Sequence, residues 1–180
     1  MRIISGKYRG IRIRPPKTFK ARPTTDFAKE NLFNILAHSY ELEGIEVLDL
    51  FSGTGSISYE FVSRGAKSVV ALEMVQPHFK FIQETCKNLG MDELTVIRGD
   101  AFRYLKKPYQ SFDLIFADPP YDHPRLAELP DLVMATAILE KKGLFILEHP
   151  SQYSFTAHPH YSQQRKYGGV NLTLFTKDAS

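Results

Sequence analysis

Three acidic residues of this 180-residue chain each follow an apolar run, and together they suit one nucleoside ligand. Asp49 lies in Val47-Leu48-Asp49-Leu50-Phe51-Ser52-Gly53-Thr54-Gly55-Ser56, an apolar run that ends in an acid and a glycine loop. Glycine gives the backbone access to positive φ and lets a ligand come close. The helical pattern that follows, with Ile57, Phe61 and Val62, offers free N–H groups and a positive dipole end. The third glycine of a dinucleotide fingerprint would fall at Ser58, so that fingerprint is broken. A carboxylate at Asp49 repels phosphate but suits a sulfonium or an α-amino group, and S-adenosylmethionine carries both. Glu73 closes Ser68 to Leu72 about 20 residues after the glycines, the spacing at which an acid accepts hydrogen bonds from ribose hydroxyls. Leu94 to Ile97 leads to Gly99-Asp100, where Asp100 is suited to an adenine amino group, with Ala101 and Phe102 beside the ring. Any one of these acids alone could be a helix cap; three at βα spacing favour a nucleoside site.

The acceptor chemistry sits at Asp118-Pro119-Pro120-Tyr121, directly after the apolar run Phe112 to Ala117. Alone, Asp-Pro-Pro is a common turn. At the end of a fourth strand it is similar to the (D/N)-P-P-(Y/F) motif of methyltransferases that act on exocyclic amines of bases. Such an amine is a poor nucleophile, because its lone pair is delocalised into the ring. A carboxylate and a carbonyl that each accept one amine hydrogen turn that lone pair toward the methyl donor. Asp118 and the Pro119 carbonyl suit those roles, the prolines stiffen the turn, and Tyr121 suits stacking on an extruded base. Positioning and electrostatics would supply most of the rate.

The elements that must hold these groups alternate. A helix with Ala28, Leu32, Ile35 and Leu36 as its stripe follows Arg22-Pro23-Thr24-Thr25-Asp26, capped at Thr25 or Asp26. The helix after the glycine loop stops near Arg64-Gly65. The next is opened by Pro77 and closed by Gly90, with Cys86 on its apolar face beside Phe79, Ile82 and Leu89. Ala101 to Leu105 predicts a short helix, Pro124 to Leu139 a helix interrupted at Pro130, and Gly143 to Leu147 a fifth strand ending at Glu148-His149-Pro150. Ser162 to Tyr167 and Val170 to Thr176 predict a closing hairpin around Gly168-Gly169. The sum is an α/β fold with a seven-stranded, mostly parallel sheet and a terminal antiparallel hairpin.

Net charge is +3, but residues 1–22 carry +8 with no acid and the remainder carries −5. Met1 to Ser5 and Gly10 to Arg14 read as two short strands of a basic hairpin. Such an arm on a mildly acidic body suggests a polyanion partner, RNA or DNA. Arg2, Lys7, Arg9, Arg12, Arg14 and Arg22 are its candidate phosphate contacts, and Tyr8 either stacks on a base or packs. The division is therefore a docking arm over 1–22 and a methyltransferase domain over 23–180. Cys86 is the only cysteine, so no internal disulfide forms, as in a reducing cytoplasm. No apolar run approaches a membrane span, no signal peptide is visible, and His149, His158 and His160 read as surface histidines rather than metal ligands.

These residues carry a family. The opening Met1-Arg2-Ile3-Ile4-Ser5-Gly6-Lys7-Tyr8-Arg9-Gly10, Arg22-Pro23-Thr24-Thr25-Asp26, Leu32-Phe33-Asn34-Ile35-Leu36, the Asp49 to Gly55 loop, Ser63-Arg64-Gly65-Ala66 and Asp118-Pro119-Pro120-Tyr121 resemble the RsmD family, bacterial methyltransferases of 16S rRNA that act on a guanine N2. The resemblance implies a Rossmann-like class I fold, S-adenosylmethionine as donor, and no metal. It also implies a cytoplasmic, monomeric enzyme that meets 16S rRNA in the assembling small subunit. It puts Asp118, Pro119, Pro120 and Tyr121 at the catalytic step. Thr24, Thr25, Asp49, Phe51, Ser52, Gly53, Gly55, Glu73, Met74, Asp100, Ala101 and Asp118 go around the donor. Two departures stand out: Phe27-Ala28-Lys29 where many relatives have a basic residue after Thr-Thr-Asp, and Ser52 where Ala is commoner. The rival readings are an adenine-N6 methyltransferase and a non-catalytic ribosome-assembly factor. A nicotinamide dehydrogenase suits the sequence less, given Ser58.

Overall fold

The structure, a computed structural model, describes residues 1–19, 26–167 and 169–177. Its strands are β1 (Glu46–Asp49), β2 (Ser68–Glu73), β3 (Leu94–Arg98), β4 (Phe112–Ala117), β5 (Leu139–His149), β6 (Tyr161–Tyr167) and β7 (Val170–Thr176). They form one seven-stranded sheet in the order β3-β2-β1-β4-β5-β7-β6. The first five pair in parallel, and β7 runs antiparallel to both β5 and β6. This is the Rossmann-like class I methyltransferase fold. The chain builds outward from β1 to β3, then returns to lay β4 on the other side of β1. The crevice at that reversal is where open α/β sheets hold ligands, and Asp49 and Asp118 flank it.

Helices cover both faces because the strands are apolar on both. On one face α1 (Asp26–Ser39), α2 (Ser56–Ser63), α3 (Gln76–Leu89) and the N-terminal hairpin pack over Val47, Val69, Ala71, Phe116 and Ile146. On the other, α4 (Ala101–Lys106) and α5 (Leu129–Met134) pack over Leu48, Val70, Ile115, Phe145 and Leu147. Gly65 follows α2 at φ 93 and Gly90 caps α3 at φ 64, the left-handed geometry that closes a helix cheaply only with glycine.

The hairpin differs from its expected form. Only Arg2 and Arg12 form a bridge, and neither flank reaches strand length. Tertiary contacts hold it instead: Ile3 and Ile13 are buried in the α1–α3 core, and Tyr8 joins them at 9% exposure. A Cβ on Gly6 would stand 1.6 Å from the Ser63 carbonyl oxygen, so this turn presses directly on the end of α2. There the Lys7 N–H donates to Ser63 O at 2.7 Å and the Tyr8 N–H to Ser63 Oγ at 2.9 Å.

Three further expectations are corrected. The helix predicted from Pro124 to Leu139 is a 3-10 turn, Leu126–Glu128, and then α5; Pro130 opens α5 rather than interrupting a longer helix, and Leu139 already belongs to β5. That strand starts early because Leu139 pairs with Phe112 before the register shifts to Leu114 and Leu144, and its polar Glu140-Lys141-Lys142 stretch reads as a loop in sequence. His149 is fully buried, not on the surface. Its Nδ1 donates to the Pro150 carbonyl, which leaves Nε2 to accept from Thr173 Oγ1 at 2.7 Å, and burial lowers its pKa. The cap at Thr25 and the Gly168 half of the last turn lie outside the described residues.

Candidate active site

Asp49 ends β1 at 1% exposure, underneath the glycine loop rather than at its lip. Ser58 Oγ donates to its Oδ2 at 2.6 Å, while Oδ1 has no hydrogen-bond partner among the described residues. The residue that breaks the dinucleotide fingerprint is thus the one that steadies the acid. Burial is the main cause that pushes the Asp49 carboxyl up to about 6; Ser58 pulls it down and the charge of Glu73 pushes it up. A negative charge held under the loop attracts a cation seated above it through a medium less screening than water.

Glu73 closes β2 and braces the loop. Its Oε2 accepts from the Gly53 N–H at 2.7 Å and its Oε1 from the Val75 N–H at 2.7 Å. Each oxygen keeps further acceptor capacity for ribose hydroxyls. Ser52 Oγ donates to Asp49 O at 3.0 Å, and the Gly55 N–H donates back to Ser52 O at 2.7 Å, which closes the turn. Nothing lies within 4 Å of where a Cβ on Gly53 would stand, so the loop is open above it; a Cβ on Gly55 would meet the Tyr59 ring at 2.6 Å. Met74 beside Glu73 is 62% exposed, an apolar side chain open at the surface. Asp100 caps α4, accepting from the Arg103 N–H at 2.8 Å, so one of its oxygens is committed locally. Ala101 and Phe102 are buried behind it; Phe102 stacks on His123 at 4.8 Å, and Phe51 meets both rings edge-on. An open glycine cradle, an acid beneath it, a second acid hydrogen-bonded to the loop and an exposed apolar flank fit S-adenosylmethionine. Glu73 and the loop would hold its sugar and Asp49 would favour its cationic end. When bound it supplies an electrophilic methyl group.

Asp118 is half-buried at the end of β4, next to β1 across the crevice; Pro119 is buried and Pro120 exposed. Tyr121 is half-buried, and its hydroxyl donates to Glu148 Oε1 at 2.9 Å. Asp49, Glu73 and Glu148 stand two residues beyond Val47, Ala71 and Ile146, which all belong to the hairpin-side core. Strand side chains repeat every second residue, so these acids share one face. Glu148 carries the signal that singled out the other acids, an acid closing an apolar strand, and sequence reasoning passed over it. Nothing in sequence reveals the buried pairing of Lys29 and Glu60, at 1% and 0% side-chain exposure, behind the loop. Tyr8 leaves the set of expected base-stacking residues: its ring is in the core and its hydroxyl donates to Gly90 O at 3.1 Å. Arg2, Lys7, Arg9, Arg12 and Arg14 are exposed, whereas Thr24, Thr25 and Arg22 lie outside the described residues. No group of three or more metal-ligating side chains occurs among the described residues, and no helix there is long and apolar enough to cross a membrane.

The fold and this crevice define a class I methyltransferase that uses S-adenosylmethionine. The chain belongs to the family described as Conserved hypothetical protein 95, which matches residues 1–176. It is 34% identical over 148 residues to Ribosomal RNA small subunit methyltransferase D of Buchnera aphidicola subsp. Baizongia pistaciae, covering 82% of this chain and 75% of that one. It is 37% identical over 156 residues to YlbH of Bacillus subtilis, covering 83% and 82%. The solved structure of yhhF from Escherichia coli superposes with a TM-score of 0.87 at 26% identity, covering 100% and 99% of the two chains.

The buried acid makes a prediction. Asp49 holds its proton more tightly folded than unfolded, so its contribution to stability is full below about 3.8 and is lost as pH rises through about 6. Asp49→Asn is therefore expected to gain stability relative to wild type by about 2 kcal/mol more at pH 8 than at pH 4.5. Its affinity for S-adenosylmethionine should fall at the same time. Urea denaturation at both pH values and calorimetric titration check this; an advantage independent of pH would refute the charged, buried acid.

Proposed function

We propose that this protein transfers a methyl group from S-adenosylmethionine to the exocyclic N2 of a guanine in 16S rRNA of the small ribosomal subunit. The observation that carries this reading is Asp118-Pro119-Pro120-Tyr121 at the end of β4, across the crevice from the donor loop. The similarity to Ribosomal RNA small subunit methyltransferase D supports the choice of nucleic acid. In this reading the target guanine leaves its stack and lies against Tyr121. Asp118 and the Pro119 carbonyl each accept one N2 hydrogen. The N2 lone pair attacks the methyl carbon in line as the carbon–sulfur bond breaks, and the N2 proton passes to Asp118 or to water. The work of the protein is alignment and field.

The test is transfer of labelled methyl to unmodified small subunits, naked 16S rRNA and DNA, followed by nucleoside digestion. N2-methylguanosine from the subunits supports the proposal. N6-methyladenine would keep the chemistry and replace the target. No label, with no binding of the donor, would leave only a ribosome-assembly role.

Arg2, Arg12 and Arg14 are exposed on the hairpin and are proposed to meet rRNA phosphates. Because Ile3 and Ile13 belong to the core, deleting the arm would damage the fold, so the useful variant replaces the three arginines by glutamine. The slope of log K against log salt is expected to flatten by roughly 0.7–0.9 for each phosphate that is no longer neutralised. Filter binding across a salt series measures it, and an unchanged slope removes these arginines from the interface.

A further inference from the structure

The Asp118-Pro119-Pro120-Tyr121 turn has to hold its acceptors still, yet its backbone offers little to hold with. Pro119 and Pro120 have no N–H, so neither can donate to a neighbouring strand. The upstream end of the turn is fixed by β4, where Ala117 pairs with Leu147. The downstream end needs another anchor, because the chain leaves the sheet here and does not enter a regular element again until Leu126.

His123 supplies that anchor. Its N–H donates to the Pro120 carbonyl oxygen at 2.9 Å, and its ring stacks on Phe102 with centroids 4.8 Å apart and planes 15° from parallel. The Arg125 N–H donates to His123 Nδ1 at 3.1 Å, which fixes the roll of the ring and leaves its hydrogen on Nε2. The Arg125 guanidinium carbon lies 4.2 Å from the centre of the same Phe102 ring, and Glu128 Oε2 accepts from its Nε at 2.9 Å and its Nη2 at 2.6 Å. Two side chains of the loop after the turn thus rest on one ring. Phe102 is 3% exposed in the first turn of α4, the helix that Asp100 caps. Phe51, two residues after Asp49 and directly before the glycine loop, completes the cluster at 6.3 Å from Phe102 and 6.4 Å from His123. Three rings from beyond the carboxyl ends of β1, β3 and β4 therefore tie the donor loop to the acceptor turn. His123 itself is half-buried and lies in a loop, so the core does not depend on it.

We propose that His123 is a positioning residue for methyl transfer, its stack on Phe102 holding the Asp-Pro-Pro-Tyr turn against the donor side of the crevice; this rests on the reading of that turn as the acceptor site given above. The ring acts through the turn and not on the reacting atoms. It sets the distance and line between the amine nitrogen and the methyl carbon. In-line transfer is steep in that geometry, and a displacement of about 1 Å costs up to about 100-fold.

The test is single-turnover transfer to unmodified small subunits with donor and subunit both saturating. His123→Ala is expected to lower the rate about 10- to 100-fold. Calorimetric affinity for S-adenosylmethionine and the thermal midpoint should stay near wild type. Two further variants separate the ring from its hydrogen bond. His123→Phe keeps the stack and gives up the acceptor for the Arg125 N–H, and is expected to recover most of the rate. His123→Asn keeps an acceptor close to where Nδ1 stands and gives up the ring, and is expected to remain as slow as the alanine variant. If His123→Ala does not fold, the phenylalanine and asparagine variants decide the matter by themselves. A wild-type rate for His123→Ala overturns the proposal, as does recovery by asparagine or failure to recover with phenylalanine. A loss confined to donor affinity overturns it too, because His123 would then serve the donor pocket alone. If wild type labels no nucleic acid at all, the reading of the turn itself has failed, and that is seen before any variant is made.

Discussion

Asp118→Ala is expected to lower kcat for methyl transfer by about 10²–10⁴-fold, the range for removing one positioned acceptor of a reacting proton. Affinity for S-adenosylmethionine should change little, because the loop that cradles it is braced by Glu73 through Gly53 and by Ser58 through Asp49, not by Asp118. The stability cost should also be small, since Asp118 is only half-buried and follows the strand rather than pairing within it. Single-turnover transfer with donor and rRNA both saturating isolates the chemical step. Turnover near wild type would show that the amine is activated elsewhere, and equal losses in binding and turnover would show that Asp118 belongs to the donor site alone.

Lys29→Met is expected to cost about 3–5 kcal/mol of folding stability, the usual consequence of leaving one member of a buried ion pair without the other. Lys29 Nζ donates to Arg2 O at 2.6 Å and to Ser56 Oγ at 3.2 Å, and lies 3.7 Å from Glu60 Oε2. Burial lowers the Lys29 pKa, with the Glu60 charge opposing that shift. Glu60 in turn accepts from the Ile4 N–H at 2.8 Å, the Ser5 N–H at 3.0 Å and Arg64 Nε at 2.9 Å. Without Lys29, a carboxylate at 0% exposure keeps Arg64 but loses its other cation. Lys29→Met combined with Glu60→Gln should recover part of the cost, since the amide oxygen still accepts from the hairpin. Urea denaturation of the two variants decides the matter, and a cost below about 1 kcal/mol for Lys29→Met would place this pair among those that contribute little. Ser56 directly follows Gly55, so loosening at Lys29 should also appear as faster amide exchange in the donor loop.

Local signals account for most of what was legible without coordinates. The strands from β1 to β4 begin or end within a residue or two of where apolar runs meet glycine or acid, because parallel strands covered on both faces are written as uninterrupted apolar runs. Gly65, Pro77 and Gly90 marked helix limits by backbone geometry alone. Asp49, Glu73, Asp100 and Asp118 were found as acids that end such runs, and their spacing implied a nucleoside site before any sheet order was known.

The rest was decided by contacts between segments far apart in the chain. In sequence α2 reads as an ordinary amphipathic helix, yet all eight of its residues are buried. Its serines and Glu60 are matched from outside, Ser56 by Lys29, Ser58 by Asp49, Glu60 by Lys29 and the Ile4 and Ser5 amides, and Ser63 by Tyr8, whereas the buried Tyr59 hydroxyl has no hydrogen-bond partner among the described residues. The same packing turned Tyr8 from a stacking candidate into a core residue and reduced the hairpin to one bridge, while Thr173 and Phe155 enclose His149 elsewhere. Glu148 faces Tyr121 only because β5 lies beside β4 in a register that places Leu147 opposite Ala117. Periodicity and turn chemistry act over a few residues and can be read from the chain. Which polar group meets which across the interior depends on sheet order and register, and these are set by the packing of the whole fold.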